Sequence, residues 1–352
     1  MEKELKSFFK SLVLAPSPSG FEQPAQNVYR SFVKPYADEL LNDVHGNVIA
    51  LKKGTGKLRV MIVGHADEIG MMVRYIDDDG FIHFTAIGGI DATILPGLKV
   101  KVYHGNKVYR GLIGRKPIHL LKGDEKGRSP QISDLWIDIG AKNKKDSEKK
   151  VCVGDFITFD PGMEMLSRDL VTTKATDNKS GVFVAAGVLK ALSGEKTKAS
   201  IYAVSSVQEE IGLRGATTSA FGIDPHIGIA IDVTHATDYP GMDKKQVGDI
   251  KLGGGPVLAI GANINPRILE LLKKAAADAG IKPQFEAAPR GTGTDANAIQ
   301  LTRSGVATGL ISIPNRYMHT PTEIVSFSDL EGTVKILAEF VRKLDDKTNL
   351  IP

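Results

Sequence analysis

The sequence changes texture twice along its length, and those two changes limit the fold more than any other feature. Residues 69–161 hold many short alternating or apolar runs (Met71–Ile76, Phe81–Ile87, Lys99–Tyr103, Val108–Ile113, Leu135–Ile139 and Phe156–Phe159) punctuated by Gly, Asp, Asn and Pro, with no long helical pattern among them. Short strand-like runs separated by turn signals predict a small β unit with its own core. The flanks read differently. Apolar residues at helical spacing (Leu5, Phe8, Phe9, Leu12, then Val28 and Phe32) precede two buried-strand runs, Val48–Leu51 and Leu58–Gly64. Beyond Asp177, helix-like Lys179–Leu192, Gly212–Ala220, Pro266–Gly280, Thr294–Leu301 and Ser328–Leu344 alternate with strand-like Ser200–Val207, Ile227–Val233, Phe285–Ala288 and Val306–Ile313. That alternation predicts a mostly parallel sheet covered by helices. The expected architecture is therefore an α/β domain, residues 1–68 and 162–352, interrupted by a β insertion at residues 69–161.

Composition removes several function classes. Lysine and arginine number 45 against 41 acidic residues, and the net charge of +4 is spread along the chain. Nucleic-acid binding would need a clustered basic footprint. The one dense patch, Lys142–Lys145 with Lys149 and Lys150, is interleaved with Asp146 and Glu148 and reads as a solvated loop. A single cysteine excludes an internal disulfide framework and any multi-cysteine metal site. Cys152 lies in an alternating Val-Cys-Val stretch, where a packed thiol is expected. No apolar run reaches the ~18–20 residues of a membrane span, and the N-terminus lacks a basic-then-apolar signal, so a soluble, cytoplasmic protein is expected.

Ligands of open α/β sheets bind outside the carboxyl ends of the strands. Polar residues that fall where the apolar runs stop are therefore the candidates: His65 and Asp67, Glu209 and Glu210, Asp232, His319, and Asp177 just before a helix. Two imidazoles and several carboxylates on one sheet edge suit Zn²⁺, Co²⁺ or Mn²⁺. Charge favours two ions over one: Asp177, Glu210 and Asp232 with two dications and a bridging hydroxide sum to neutrality, whereas a single dication leaves buried negative charge that is costly to desolvate. In His65-Ala66-Asp67 the outer residues face the same side of an extended chain, so Asp67 can accept the second ring N–H of His65. The side chains of the adjacent Glu209 and Glu210 diverge, so one can ligate metal while the other acts as a general base.

Four motifs carry a resemblance to a known family: Gly64-His65-Ala66-Asp67-Glu68-Ile69-Gly70, Thr176-Asp177-Asn178-Lys179-Ser180-Gly181, Gln208-Glu209-Glu210-Ile211-Gly212-Leu213-Arg214-Gly215, and Tyr317-Met318-His319-Thr320-Pro321. Together they resemble the M42 metallo-aminopeptidases, which include tetrahedral and glutamyl aminopeptidases and proteins once named cellulase M. The resemblance covers essentially the whole chain. It implies a dinuclear catalytic domain, and an inserted PDZ-like β domain used for homo-oligomer assembly, often a tetrahedral dodecamer built from dimers. By motif, His65 and Asp232 hold one metal, Glu210 and His319 the other, and Asp177 bridges them. Glu209 is then the base and Asp67 the acid that orients His65. The implied cofactors are two divalent ions, Zn²⁺ or Co²⁺ ahead of Mn²⁺, and the implied substrates are short peptides.

The segment Arg290–Asn297 resembles the family stretch that lines the pocket for the first side chain, which makes Arg290, Gly291, Thr292, Gly293, Thr294 and Asp295 the substrate-binding candidates. Arg290 would favour acidic side chains, whereas the small residues around it fit a leucine-like one, and the neutral preference is the expectation. Three rivals remain at this point. A glycoside hydrolase would use two carboxylates and no imidazole ligands. A related dinuclear amidase or deacylase would use the same residues, and a scaffold protein would be expected to have a damaged set.

Overall fold

The structure is a computed structural model that describes residues 1–123 and 127–352. Its centre is an eight-stranded sheet in the order Glu39–Asn42, Val48–Lys52, Ser200–Ser206, Arg59–His65, Ile227–His235, Ala307–Asn315, Val257–Gly261, Gln284–Ala288. The four middle strands run parallel to one another. Parallel pairing does not extend across the sheet: Val48–Lys52 runs antiparallel to Ser200–Ser206, and Val257–Gly261 antiparallel to Ala307–Asn315. The sheet is thus mixed: four of its seven strand pairs are parallel, Val257–Gly261 with Gln284–Ala288 among them, and three are antiparallel. At one edge the reason is local. Asp43 accepts the backbone N–H groups of His45, Gly46 and Asn47, closing a tight hairpin between Glu39–Asn42 and Val48–Lys52. Hairpins impose antiparallel pairing.

The unbroken apolar run in Arg59–His65 reflects burial on both faces. Val60 and Ile62 enter one core, with helices Lys3–Leu14, Gln23–Val33, Thr176–Ala191, Pro266–Asp278 and Phe327–Arg342. Met61 and Val63 enter the opposite core, with helices Arg214–Ile223 and Asp295–Gln300. This is the two-residue period of a strand covered on both sides.

The helix Thr176–Ala191 lies closest to the sheet. A Cβ on Gly64 would sit 2.3 Å from the carbonyl carbon of Gly181, and one on Gly181 would sit 2.6 Å from the carbonyl oxygen of Ile231. No side chain fits at either point.

The β-rich stretch forms a closed six-stranded barrel of strands Gly70–Ile76, Ile82–Ile87, Leu135–Asp138, Lys107–Arg115, Lys99–His104 and Phe156–Phe159. Its pairs are antiparallel, and Met71, Val73, Phe84, Val102, Ile113 and Ile157 belong to a separate core inside it. A third, three-stranded sheet (Met163–Met165, Leu170–Thr173, Glu323–Ser326) was not anticipated from the sequence. Cys152 departs from expectation: Val151 is buried, but the thiol is exposed beside His104 and Asp155, and the strand begins only at Phe156. The basic patch includes a short helix, Lys144–Glu148. Among the described residues, no helix is long and apolar enough to cross a membrane.

Gly64→Ala should drive the helix off the strand. The expected loss of stability is ~1–3 kcal/mol, as for other overpacked cores, read as a lowered unfolding midpoint in denaturant. An unchanged midpoint would show that the close approach is not a constraint.

Candidate active site

Each candidate residue is placed by a strand end or the turn that follows it. His65 closes Arg59–His65, Asp232 lies near the end of Ile227–His235, and Glu209 and Glu210 follow Ser200–Ser206. His319 follows Ala307–Asn315, and Asp177 opens Thr176–Ala191 after a cis peptide link to Asn178. The chain turns sharply at these points. Ala175, Gln208, Tyr317 and His319 all have left-handed backbone (φ 57°, 56°, 66° and 60°) although none is glycine. Such residues cost roughly 1–3 kcal/mol each and persist where the surroundings over-determine them.

The side chains converge. His65 Nε2 lies 3.3 Å from one oxygen of Asp177, and His319 Nε2 lies 3.4 Å from the other. His65 Nε2 is also 3.7 Å from Glu209 and 3.9 Å from Asp232, while His319 Nε2 is 3.6 Å from Glu210. Two overlapping sets therefore have ligand atoms within 4.8 Å of one another: His65, Asp177 and Glu210, and His65, Glu209 and Asp232.

Both imidazoles are oriented by backbone carbonyls. His65 Nδ1 donates to the carbonyl of Asp67 at 3.1 Å, and His319 Nδ1 to the carbonyl of Gly89 at 2.9 Å. A carbonyl only accepts, so each Nδ1 carries the hydrogen and each neutral ring aims its Nε2 lone pair at carboxylate oxygens. A lone pair facing an anion is repulsive unless a cation or proton lies between them.

Electrostatics report the same imbalance. Burial pushes Glu209 up to about 10, with Asp232, Asp295 and Glu210 adding to the shift against the pull of His65. Burial also lifts Glu210 and Asp232 to about 8, each raised further by Asp177. Burial alone would lower His65, but Glu209, Asp177 and Asp67 outweigh it and hold the ring well above its ordinary value. Hydrogen bonding to Asp177 raises His319 to about 9. Asp177 between the two rings is held low despite burial.

Asp67 sits behind this array and serves more than His65. Its carboxylate accepts the backbone N–H groups of Glu209 (3.0 Å) and Glu210 (3.1 Å) and the hydroxyl of Ser19 (2.7 Å), while its Oδ1 is 3.5 Å from His65 Nδ1. Sequence reasoning did not find Glu323. That buried acid accepts from the backbone N–H of Asp177 (3.0 Å), the hydroxyl of Thr176 (2.7 Å) and the backbone N–H of His319 (3.2 Å), so it ties two candidate ligands together. Its position four residues after His319 was the available signal. Nothing in the sequence pointed to Gly89.

A cavity of about 330 Å³ opens beside the array, lined by His65, Asp177, Glu209, Asp232 and His319 together with Gly291, Thr292, Gly293 and Thr294. Arg290 is exposed and off the cavity wall, and Asp295 is buried beneath it, accepting from Ser206 at 2.8 Å. His235 and Glu286, which were not anticipated, do line it.

Comparison with known proteins agrees with this arrangement. Residues 46–336 match the family model described as M42 glutamyl aminopeptidase. A lysyl aminopeptidase of Pyrococcus furiosus is 36% identical over 95% of this chain and 96% of its own length. The crystal structure of a TET aminopeptidase from a marine-sediment Thaumarchaeota archaeon superposes with a TM-score of 0.94 at 31% identity, covering 98% of both chains. A Pyrococcus horikoshii TET1 peptidase, described as assembling into a tetrahedron or a large octahedral shell, gives a TM-score of 0.86 at 30% identity over 97% of this chain and all of the other. On this coverage and identity the chain belongs to the M42 peptidase family, whose members are aminopeptidases.

Proposed function

We propose that the protein is a metal-dependent aminopeptidase that releases N-terminal residues from short peptides, with two divalent ions held at the strand ends. The observation that carries this reading is the pair of imidazoles. Each has its Nδ1 occupied by a carbonyl, and the two Nε2 atoms face opposite oxygens of one carboxylate, Asp177. That is the donor set two cations would share, with His65 and Asp232 on one side, Glu210 and His319 on the other, and Asp177 between. Imidazole and carboxylate donors suit Zn²⁺ or Co²⁺, and also Mn²⁺. When bound, such ions polarise a scissile carbonyl and make water a stronger acid.

The chain's own groups do the rest. Glu209 faces the cavity, whereas Glu210 turns toward His319. Glu209 is thus placed to take a proton from the attacking water and pass it to the leaving amine. Asp67 fixes the pair by holding both of their backbone N–H groups. A cavity of about 330 Å³ is near the lower end of ligand-site sizes and suits a single side chain. The paired imidazoles speak against a glycoside hydrolase, which has no need of them. The barrel presents exposed apolar side chains, Ile118, Leu120 and Val108 among them, which supports its use as the contact surface of a homo-oligomer, with a tetrahedral dodecamer as the proposed assembly.

Aminoacyl-p-nitroanilides with N-acetylated controls, assayed before and after chelation and metal add-back, test the reading. Free-amine substrates alone should be cleaved, with activity lost to chelator and restored by Zn²⁺, Co²⁺ or Mn²⁺. Cleavage of blocked substrates would favour the amidase or deacylase.

Glu209→Gln should retain both metals by elemental analysis yet lose kcat by ~10²–10⁴-fold, the usual worth of a general base. Loss of metal instead would make Glu209 a ligand. Metal-stripped protein should lose stability as pH rises. Glu209, Glu210 and Asp232 titrate above their ordinary values of 4.5, 4.5 and 3.8. Protons bound to them favour the folded state fully at about pH 4 and progressively less as pH climbs toward 8–10. Metal should therefore raise the unfolding midpoint most at the alkaline end, and a pH-independent midpoint in the stripped protein would contradict the buried-charge account.

A further inference from the structure

We infer that the cavity beside the metal-ligand array is a subsite for a basic N-terminal side chain, lysine above leucine or glutamate, with Glu286 as the group that recognises its ammonium. The inference rests on the aminopeptidase reading and goes against the neutral preference expected from the small residues of the 291–298 segment.

Thr234 lies two residues beyond Asp232 on the same strand, so their side chains share a face about 6.6 Å apart along the chain. The Thr234 hydroxyl donates to Glu286 Oε2 at 2.7 Å. Two strands, Ala307–Asn315 and Val257–Gly261, separate these residues in the sheet order, and Leu310 and Ala259 from those strands line the cavity. The cavity therefore has an apolar floor, the catalytic array at one end and a fixed carboxylate at its far wall. Lysine combines a four-methylene stem with a terminal charge, and such side chains lay the stem on apolar surface and carry the head to a polar partner.

The charge pattern favours one sign. Among the described residues no lysine or arginine lines the cavity, and Arg290, which would have suited an acidic substrate, is exposed and off its wall. Outside the ligand-and-base set, Glu286 and His235 are the titratable groups on the lining. Among the described residues no lysine or arginine ion-pairs with Glu286, and its hydrogen bond to Thr234 holds one oxygen while leaving the other available. A neutral side chain would leave that carboxylate without a cationic partner, and an acidic one would face it with like charge.

The test is kcat/KM for Lys-, Arg-, Leu- and Glu-p-nitroanilide with the metal-loaded enzyme, for wild type, Glu286→Gln and Glu286→Lys. Wild type should prefer Lys over Leu by about tenfold or more, the usual worth of a charge-assisted hydrogen bond. Glu286→Gln should lower the Lys-to-Leu ratio by about the same factor, mainly through KM, and Glu286→Lys should raise the Glu-to-Lys ratio. Rising salt should reduce the Lys preference in wild type more than in Glu286→Gln. A wild-type preference for Leu or Glu overturns the assignment while leaving the aminopeptidase reading intact. So does an equal loss on all four substrates in Glu286→Gln. Failure to cleave any free-amine substrate with metal present would overturn both readings.

Discussion

The close approach of one helix to one strand sets the geometry on which the site depends. Gly64 and Gly181 meet with no room for a side chain on either, which brings the start of Thr176–Ala191 down onto the ends of two parallel strands. Asn178 locks the contact by donating to the carbonyl of Ile231 at 2.7 Å, one residue before Asp232. His65, Asp177 and Asp232 come from distant parts of the sequence, yet this packing contact brings the two carboxylates to 3.3 and 3.9 Å from His65 Nε2. The remaining candidate ligands are held by hydrogen bonds added around that contact, through Asp67 on one side and Glu323 on the other.

Two groups of buried acid lie almost adjacent and are handled in opposite ways. Glu68 is buried but has Lys174 at 2.5 Å and Lys179 at 3.3 Å, and its carboxyl is held low despite the cost of burial. Lys179 is itself pushed down to about 7 by burial. That cluster is internally compensated and ties the Ser17 loop to the helix. Glu209, Glu210 and Asp232 have no lysine or arginine partner among the described residues, and they are pushed up instead. Burying carboxylates without cations is costly. A fold that compensates one acid with two lysines and leaves its neighbours uncompensated has reserved the second place for cations from outside.

Much of this was legible in the sequence because the strand ends were legible. Once Leu58–Gly64, Ser200–Val207, Ile227–Val233 and Val306–Ile313 were read as buried strands, the polar residues that followed had to share one edge. The mixed sheet was not legible: the hairpin at Asp43 is set by side chain–backbone bonds, and the short, mostly exposed strand Glu39–Asn42 has its two leucines adjacent, with no alternation. Glu323 was hidden in a third sheet whose strands span only three or four residues. Cys152 misled because alternation in Val-Cys-Val imitates a strand, whereas the structure buries only the first valine. Arg290 drew attention by its charge, but Glu286 is the residue that lines the cavity. Glu286 lies on the edge strand Gln284–Ala288, whereas Arg290 lies beyond its end.

The hydrogen bond from His319 to Gly89 ties the sheet domain to the barrel. Gly89 belongs to the connection after barrel strand Ile82–Ile87, and its neighbour Gly88 lies against Glu210, where a Cβ would come within 3.3 Å of the carboxylate. The barrel therefore reaches into the candidate site through its own connecting backbone. Without the Gly89 carbonyl the imidazole would be free to present its other nitrogen. The orientation of one candidate ligand of the sheet domain is thus set by backbone at the mouth of the barrel.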